Sequence, residues 1–270
     1  MNRKDEKIYW QFHQSTNEEM PQNTMEAFEY AWSLGGIPEL DIRTTKDGVI
    51  IAFHDDTPKR IAVTAPEYEN RSIRECTLEE VKAFDMGAKL HERFQGFKVP
   101  TLEETFKAMK GQPDRLVYLD LKDVDLSELA KMIKDYSMSA QVIFTHNNRE
   151  NCMTMKRYVK DMRTMLWIGG KAPAIMEKFN RAKEAEFEGL NQVQLHLNDP
   201  ESFTDWRYQL DPSFVEYALE ETSKRGLDLE VLPYKFDKKN LFRLLDMGIR
   251  WFAVDEPKRF IACVEEWRKI

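Results

Sequence analysis

Residues 38–54 read PELDIRTTKDGVIIAFH, and the two β-rich runs flanking Asp47-Gly48 mark a tight hairpin. Parallel neighbours need a crossover of a dozen or more residues, so these two arms must be antiparallel. With Asp47 and Gly48 as a two-residue loop, Lys46 faces Val49, Ile42 faces Phe53 and Asp41 faces His54. Directly opposed residues hold their Cβ atoms about 5 Å apart, so this register predicts a carboxylate beside an imidazole. It also sorts the faces: Leu40, Ile42, Ile51 and Phe53 on one, Glu39, Asp41, Arg43 and His54 on the other.

Outward from the hairpin, short β-rich runs alternate with amphipathic stretches. The runs are IYWQFH from Ile8, PELDIR from Pro38, VIIAFH from Val49, LVYLDL from Leu116, QVIFT from Gln141, TMLWI from Thr164, LNQVQL from Leu190, LDLEVL from Leu227 and WFAVD from Trp251. Between them lie helical patterns such as NTMEAFEYAWSL, in which Met25, Phe28, Ala31 and Trp32 recur at helical spacing. DLSELAKMIKDY, FVEYALEETSKRG and KKNLFRLLDMG read the same way, the last two closing on Gly226 and Gly248. Strand–helix alternation implies a parallel α/β sheet, and about 250 residues with eight such units is the size of a (β/α)8 TIM barrel. Nine runs are one too many for eight staves. The second hairpin arm is therefore read as an antiparallel excursion, followed by a small insertion at about 56–105, within a single domain spanning 1–270.

The 270 residues carry 40 basic and 47 acidic side chains, a formal net charge of −7, which argues against a nucleic-acid partner. No apolar run approaches the roughly 20 residues of a transmembrane helix. The start, MNRKDEKIYWQFHQ, has no apolar signal-peptide region, so a cytoplasmic location is expected. Cys76, Cys152 and Cys263 are odd in number and scattered, which gives neither a disulfide framework nor metal-knuckle spacing. Trp206 and Tyr208 follow a polar loop and read as scattered surface aromatics.

Glu39 and Asp41 are two apart, hence on one face of a strand and near its C-terminal end, where a barrel keeps its chemistry. VYLDLK from Val117 repeats the pattern, with Tyr118, Asp120 and Lys122 on one face. Three carboxylates from two strands repel one another unless a cation neutralises them, and Mg²⁺ or Ca²⁺ takes such oxygen ligands. His13 ends the first β run and His54 the hairpin arm. As a pair, one imidazole can take a proton from a nucleophile while the other gives one to a leaving oxygen. A metal held beside them would bind a non-bridging phosphate oxygen. Lys122 suits a carboxylate or an anionic substrate. His91 and His146 lie in a polar loop and a turn-like stretch, and His196 alternates with Gln192 and Gln194 on a face that would line the pocket opposite.

ELDIRTTKDGVIIAFHDDT resembles the core signature of the glycerophosphodiester phosphodiesterases, with its E-x-D pair, T-K-D-G turn and F-H-D-D-T run in order. PQNTMEAFEYAWSLG is similar to the family's P-E-N-T segment, and CTLEEVKAFDMGAKLHERFQGFKVPTLEE to its insertion. LDLK stands where the family has E-x-K, and MGIRWFAVDEP resembles its closing segment. The resemblance runs from about Phe12 to Pro257 and is densest in the first half. It implies a metal-dependent TIM barrel that hydrolyses glycerophosphodiesters, small-molecule substrates, to glycerol phosphate and an alcohol. Glu39, Asp41 and Asp120 would be ligands of Mg²⁺ or Ca²⁺, His13 and His54 the acid–base pair, and Lys122 a phosphate contact.

The family's H-R-G is here His13-Gln14-Ser15, so Gln14 offers an amide where a guanidinium would meet the phosphate, with Arg43 a candidate to compensate. The third acid is shortened from glutamate to Asp120, and PYKF from Pro233 replaces W-T-V-N in the alcohol pocket. Two other readings use the same residues: a phospholipase-type lyase that leaves a cyclic phosphate, and a non-catalytic binder of phosphodiesters.

Overall fold

All nine β runs form strands in the computed structural model, which describes residues 3–15, 19–202 and 205–270. They are β1 (Tyr9–Phe12), β2 (Ile37–Thr44), β3 (Ile50–Ala52), β4 (Val117–Asp123), β5 (Val142–His146), β6 (Arg163–Ile168), β7 (Gln192–Leu197), β8 (Asp228–Pro233) and β9 (Trp251–Val254). The helices are α1 (Met25–Ser33), α2 (Leu78–Lys82), α3 (Leu102–Met109), α4 (Leu126–Asp135), α5 (Arg149–Tyr158), α6 (Ala172–Glu184), α7 (Pro212–Ser223), α8 (Lys238–Met247) and α9 (Pro257–Lys269). The sheet order is β1-β9-β8-β7-β6-β5-β4-β2-β3 with a further β1–β2 pairing. Because β1 pairs with both β9 and β2, eight strands close into a ladder and β3 hangs on β2. This is the (β/α)8 barrel with its hairpin excursion.

The hairpin register departs from the two-residue loop. Ile42 pairs with Ala52, Arg43 with Ile51 and Thr44 with Ile50. Thr45 N–H donates to the Val49 carbonyl at 2.9 Å and Gly48 N–H to that of Thr45 at 3.0 Å. The loop therefore holds three residues, Lys46, Asp47 and Gly48, and Gly48 takes the left-handed φ of +82° that such loops require. Asp47 is fixed there by the Thr45 hydroxyl at 2.7 Å and by the Leu78 N–H at 2.9 Å. One extra loop residue moves every pair by one and flips the second arm's faces. Phe53, not His54, stands opposite Asp41, its N–H on the Asp41 carbonyl at 2.7 Å.

The reversal has a packing cause. Ile51 and Phe53 are buried with Ile61, Ile73, Cys76, Val81, Phe84, Met86 and Val99, a small core supplied by the insertion. Two capping boxes order its helical turns, Thr77 with Glu80 and Thr101 with Glu104.

The chain divides into two compact units. One comprises Phe12–Phe144 and Tyr158–Met162, with the hairpin, the insertion, β2 and β4. Here β2 and β4 run parallel with Glu39 opposite Tyr118 and Asp41 opposite Asp120, and a register shift follows Ile42. The other comprises Met1–Gln11, Thr145–Arg157 and Arg163–Ile270. Its β6, β7, β8 and β9 are parallel neighbours. Within it Tyr208 is buried and stands edge-on to Trp206 at 5.2 Å, which corrects the reading of these two as surface aromatics. α8 ends as expected on Gly248, at φ +109°. No described helix is long and apolar enough to cross a membrane.

Candidate active site

Glu39, Asp41 and Asp120 are all buried, and one carboxylate oxygen from each lies within 4.8 Å of the others. The in-register pairing of β2 and β4 makes this so, since Asp41 and Asp120 are lateral neighbours and Glu39 is two residues behind. Burial, and then the repulsion of Asp41 and Asp120, raises the Glu39 carboxyl to about 7, against the opposing pull of His13 and the Gln14 N–H. That N–H donates to Glu39 Oε2 at 2.8 Å.

Lys122 reaches back over the same carboxylates, its Nζ 2.5 Å from Asp120 Oδ2 and 3.1 Å from Asp41 Oδ1. Burial disfavours the ammonium, yet the acids outweigh it and raise its pKa above the ordinary lysine value. Asp41 Oδ1 is nonetheless buried without a hydrogen bond, while Asp41 Oδ2 accepts from Asn23 Nδ2 at 2.7 Å.

Asn23 is a contributor that sequence reasoning missed. Its Oδ1 accepts the Asp41 N–H at 3.0 Å, so side chain and main chain of Asp41 are gripped together. Asn23 has φ +51°, a conformation that asparagine tolerates better than most residues, and Thr24 caps α1 directly after it, accepting from Ala27 N–H at 3.2 Å. The available signal was an asparagine just ahead of a helix-capping threonine in PQNT.

The hairpin register does not bring His54 opposite Asp41; a side-chain chain places it instead. His54 Nδ1 lies 2.7 Å from Asp55 Oδ1, and Asp55 is held in a fork by Arg60, Nε at 2.8 Å and Nη2 at 2.7 Å. His54 Nε2 lies 3.2 Å from the Gln14 amide nitrogen. Gln14 sits in the short turn His13–Ser15 with φ +50°, so one residue touches both Glu39 and His54. His13 precedes it and acts electrostatically on Glu39. Arg43 donates from Nε at 3.1 Å and Nη2 at 3.0 Å to the His54 carbonyl, with Nη1 3.7 Å from Asp56. Two of its nitrogens are thus engaged with the main chain of the histidine.

The remaining histidines are locally occupied. The His91 ring accepts from Arg93 N–H at 3.1 Å. His146 ends β5 instead of lying in a turn, and its Nδ1 accepts from Asn148 N–H at 3.1 Å. His196 belongs to a separate cluster in the second unit.

A sequence model of the glycerophosphoryl diester phosphodiesterase family matches residues 13–259. The chain is 28% identical over 264 residues to a glycerophosphodiester phosphodiesterase of Caldanaerobacter subterraneus subsp. tengcongensis, spanning 94% of this chain and 96% of that protein. It also matches a glycerophosphodiester phosphodiesterase structure from Agrobacterium tumefaciens with TM-score 0.72 at 19% identity, over 95% of this chain and 100% of the other. A phosphodiesterase from Oleispira antarctica, solved with its product sn-glycerol-3-phosphate, matches with TM-score 0.73 at 17% identity, over 95% of this chain and 96% of its own. At these identities the structural matches speak for the fold.

Proposed function

The chain belongs to the glycerophosphoryl diester phosphodiesterase family, and from that premise we propose that it hydrolyses glycerophosphodiesters to glycerol phosphate and an alcohol. In this reading Glu39, Asp41 and Asp120 hold a Mg²⁺ or Ca²⁺ ion, and His13 and His54 move the protons. The observation that carries it is the buried trio of carboxylates within 4.8 Å of one another, in which Asp41 Oδ1 has the Lys122 ammonium 3.1 Å away but accepts no hydrogen bond. Such a set is costly alone and suits a hard cation. When bound, the cation supplies charge neutralisation to a phosphate oxygen and to the three acids.

The chain's own groups then have defined tasks. Asp55 takes the Nδ1–H of His54, which leaves Nε2 as the working nitrogen and stabilises the imidazolium once a proton arrives. Arg60 keeps Asp55 in place for this. One imidazole removes the proton of the attacking water, and its counterpart protonates the departing alkoxide. The Lys122 ammonium is the phosphate contact, and the Gln14 amide binds a phosphate oxygen as a neutral donor. Arg43 joins the substrate-binding set with Nη1, while its other nitrogens fix the His54 main chain.

The test is release of alcohol from glycerophosphoethanolamine with Mg²⁺ or Ca²⁺, with and without a chelator, followed by phosphorus NMR. Metal-stimulated formation of glycerol phosphate is the expected result. A cyclic phosphate as the final product would make the protein a lyase, and no metal-stimulated release from any diester would leave a binder.

A further inference from the structure

In the first unit the insertion and the segment leading into α1 enclose a small pocket of about 150 Å³. Ile61, Met86 and Leu90 give it apolar walls, and Gln22, Arg60 and Lys89 supply polar atoms. Among the described residues no carboxylate lines it, in a chain whose formal net charge is −7. Gln22 stands where the P-E-N-T segment has its glutamate, so the wall holds an amide in place of an acid.

Both cations have hydrogens to spare. Arg60 spends Nε and Nη2 on Asp55, at 2.8 Å and 2.7 Å, and Nη2 also donates to Gln22 Oε1 at 3.5 Å. Among the described residues its Nη1 makes no hydrogen bond. Lys89 donates to the Lys59 carbonyl, and its ammonium makes no other hydrogen bond or ion pair among the described residues.

The loop that carries Lys89 is ordered from within. Asp85 Oδ1 accepts the Gly87 and Ala88 N–H groups, each at 2.9 Å, and Asp85 Oδ2 accepts Gly96 N–H at 2.7 Å. Main-chain bonds lock its base, Asp85 N–H to the Val63 carbonyl and Met86 N–H to that of Phe97, both at 2.9 Å. Only glycine fits at position 87, because a Cβ there would stand 1.8 Å from the Phe94 carbonyl oxygen. A loop held this way loses little freedom when a ligand arrives.

We infer that this pocket is an anion site, in which Arg60 Nη1 and Lys89 Nζ bind a carboxylate or phosphate group other than the scissile phosphate. A guanidinium already fixed on Asp55 and an ammonium tied to a carbonyl make charge-assisted hydrogen bonds to such a group, and the apolar walls cover its carbon stem. The site adjoins His54, since Asp55 joins Arg60 to His54 Nδ1. The group comes from one of two sources: a second anionic group of the diester, which rests on the diesterase reading above, or a free anion, which does not.

Arg60 holds Asp55, so the test variants fall on its neighbours. Gln22→Glu places an acid in the wall, Lys89→Met removes the ammonium, and Lys89→Arg keeps the charge. The first readout is the ratio of kcat/KM on glycerophosphoserine to that on glycerophosphoethanolamine, two diesters that differ by one carboxylate. The ratio cancels any effect a variant has on His54. If the anion belongs to the substrate, Gln22→Glu and Lys89→Met should each lower the ratio about threefold to tenfold, the range of a solvent-screened charged contact. Lys89→Arg should keep it.

A second readout needs no turnover: the ¹³C NMR signal of Lys89 Cε during titration with inorganic phosphate, against sodium chloride of equal ionic strength. If the site takes a free anion, phosphate alone should shift this signal in the wild type and not in Gln22→Glu, with the serine ratio the same in every variant. An unchanged ratio together with no phosphate-specific shift, or with one undiminished in Gln22→Glu, overturns the site. A phosphate-specific shift lost in Gln22→Glu, without cleavage of any diester, would count against the diesterase reading and leave the anion site standing.

Discussion

Two groups of buried acids invite comparison. On β8, Glu230 takes amide hydrogens on both oxygens, from Gln192 and Gln194. On β2 and β4, Glu39, Asp41 and Asp120 crowd within 4.8 Å, and Asp41 Oδ1 is buried without a hydrogen bond. The first arrangement is complete within the protein and serves structure. The second is complete only with positive charge, which Lys122 supplies in part. The difference separates a single buried carboxylate satisfied by amide hydrogens from three crowded ones whose mutual repulsion one ammonium offsets only in part.

The largest expected effect that tests this contrast is Asp41→Asn. It should lower turnover by about 10³-fold, as loss of several kcal/mol of charge stabilisation would. Glu230→Gln, by contrast, should leave kcat within an order of magnitude. If steady-state rates show equal damage in both variants, the contrast is void. His13→Ala and His54→Ala come next, each lowering kcat by around 10²-fold or more; near-normal rates in both would remove the proton-transfer scheme while leaving the acidic cluster intact.

Asn23→Leu should weaken divalent-cation affinity by about tenfold to a hundredfold, the usual effect of losing a group that orients a ligand. Calorimetric titration would read it, and unchanged affinity would show that the grip on Asp41 is dispensable. The smallest effect concerns pH. Folding raises the Glu39 carboxyl to about 7, so the native state binds a proton the unfolded chain does not between the ordinary glutamate range and about 7. Its contribution to the stability of the metal-free protein therefore falls as pH rises through that window. A bound cation takes the proton's place, so saturating Mg²⁺ should raise Tm more at pH 8 than at pH 5. Equal increments by thermal melting would show that Glu39 is not part of the cation site.

Much of the first unit was legible from residue pattern. Alternation alone put Glu39 with Asp41 and Asp120 with Lys122, because side-chain period in a strand is fixed at two residues. The hairpin was legible too, but not its loop length. Asp47-Gly48 is compatible with two- and three-residue loops, and the choice fell to Ile51 and Phe53, which gain a core by facing the insertion. Asn23 and Arg60 were missed for a different reason. Each is an ordinary polar residue in its local sequence, and its role exists only once Asp41 or Asp55 is brought beside it.

By itself the sequence determined the order of strands and helices, the eight staves with one excursion, and which acids share a face. These follow from local periodicity, which needs no knowledge of distant contacts. Tertiary structure alone decided that β2 and β4 pair with Asp41 beside Asp120, that His54 is reached through Gln14 and Asp55, and that Glu230 meets the amides of Gln192 and Gln194. Those outcomes depend on register and on buried hydrogen bonds between residues far apart in the chain, where a one-residue shift reverses every face and only packing can choose.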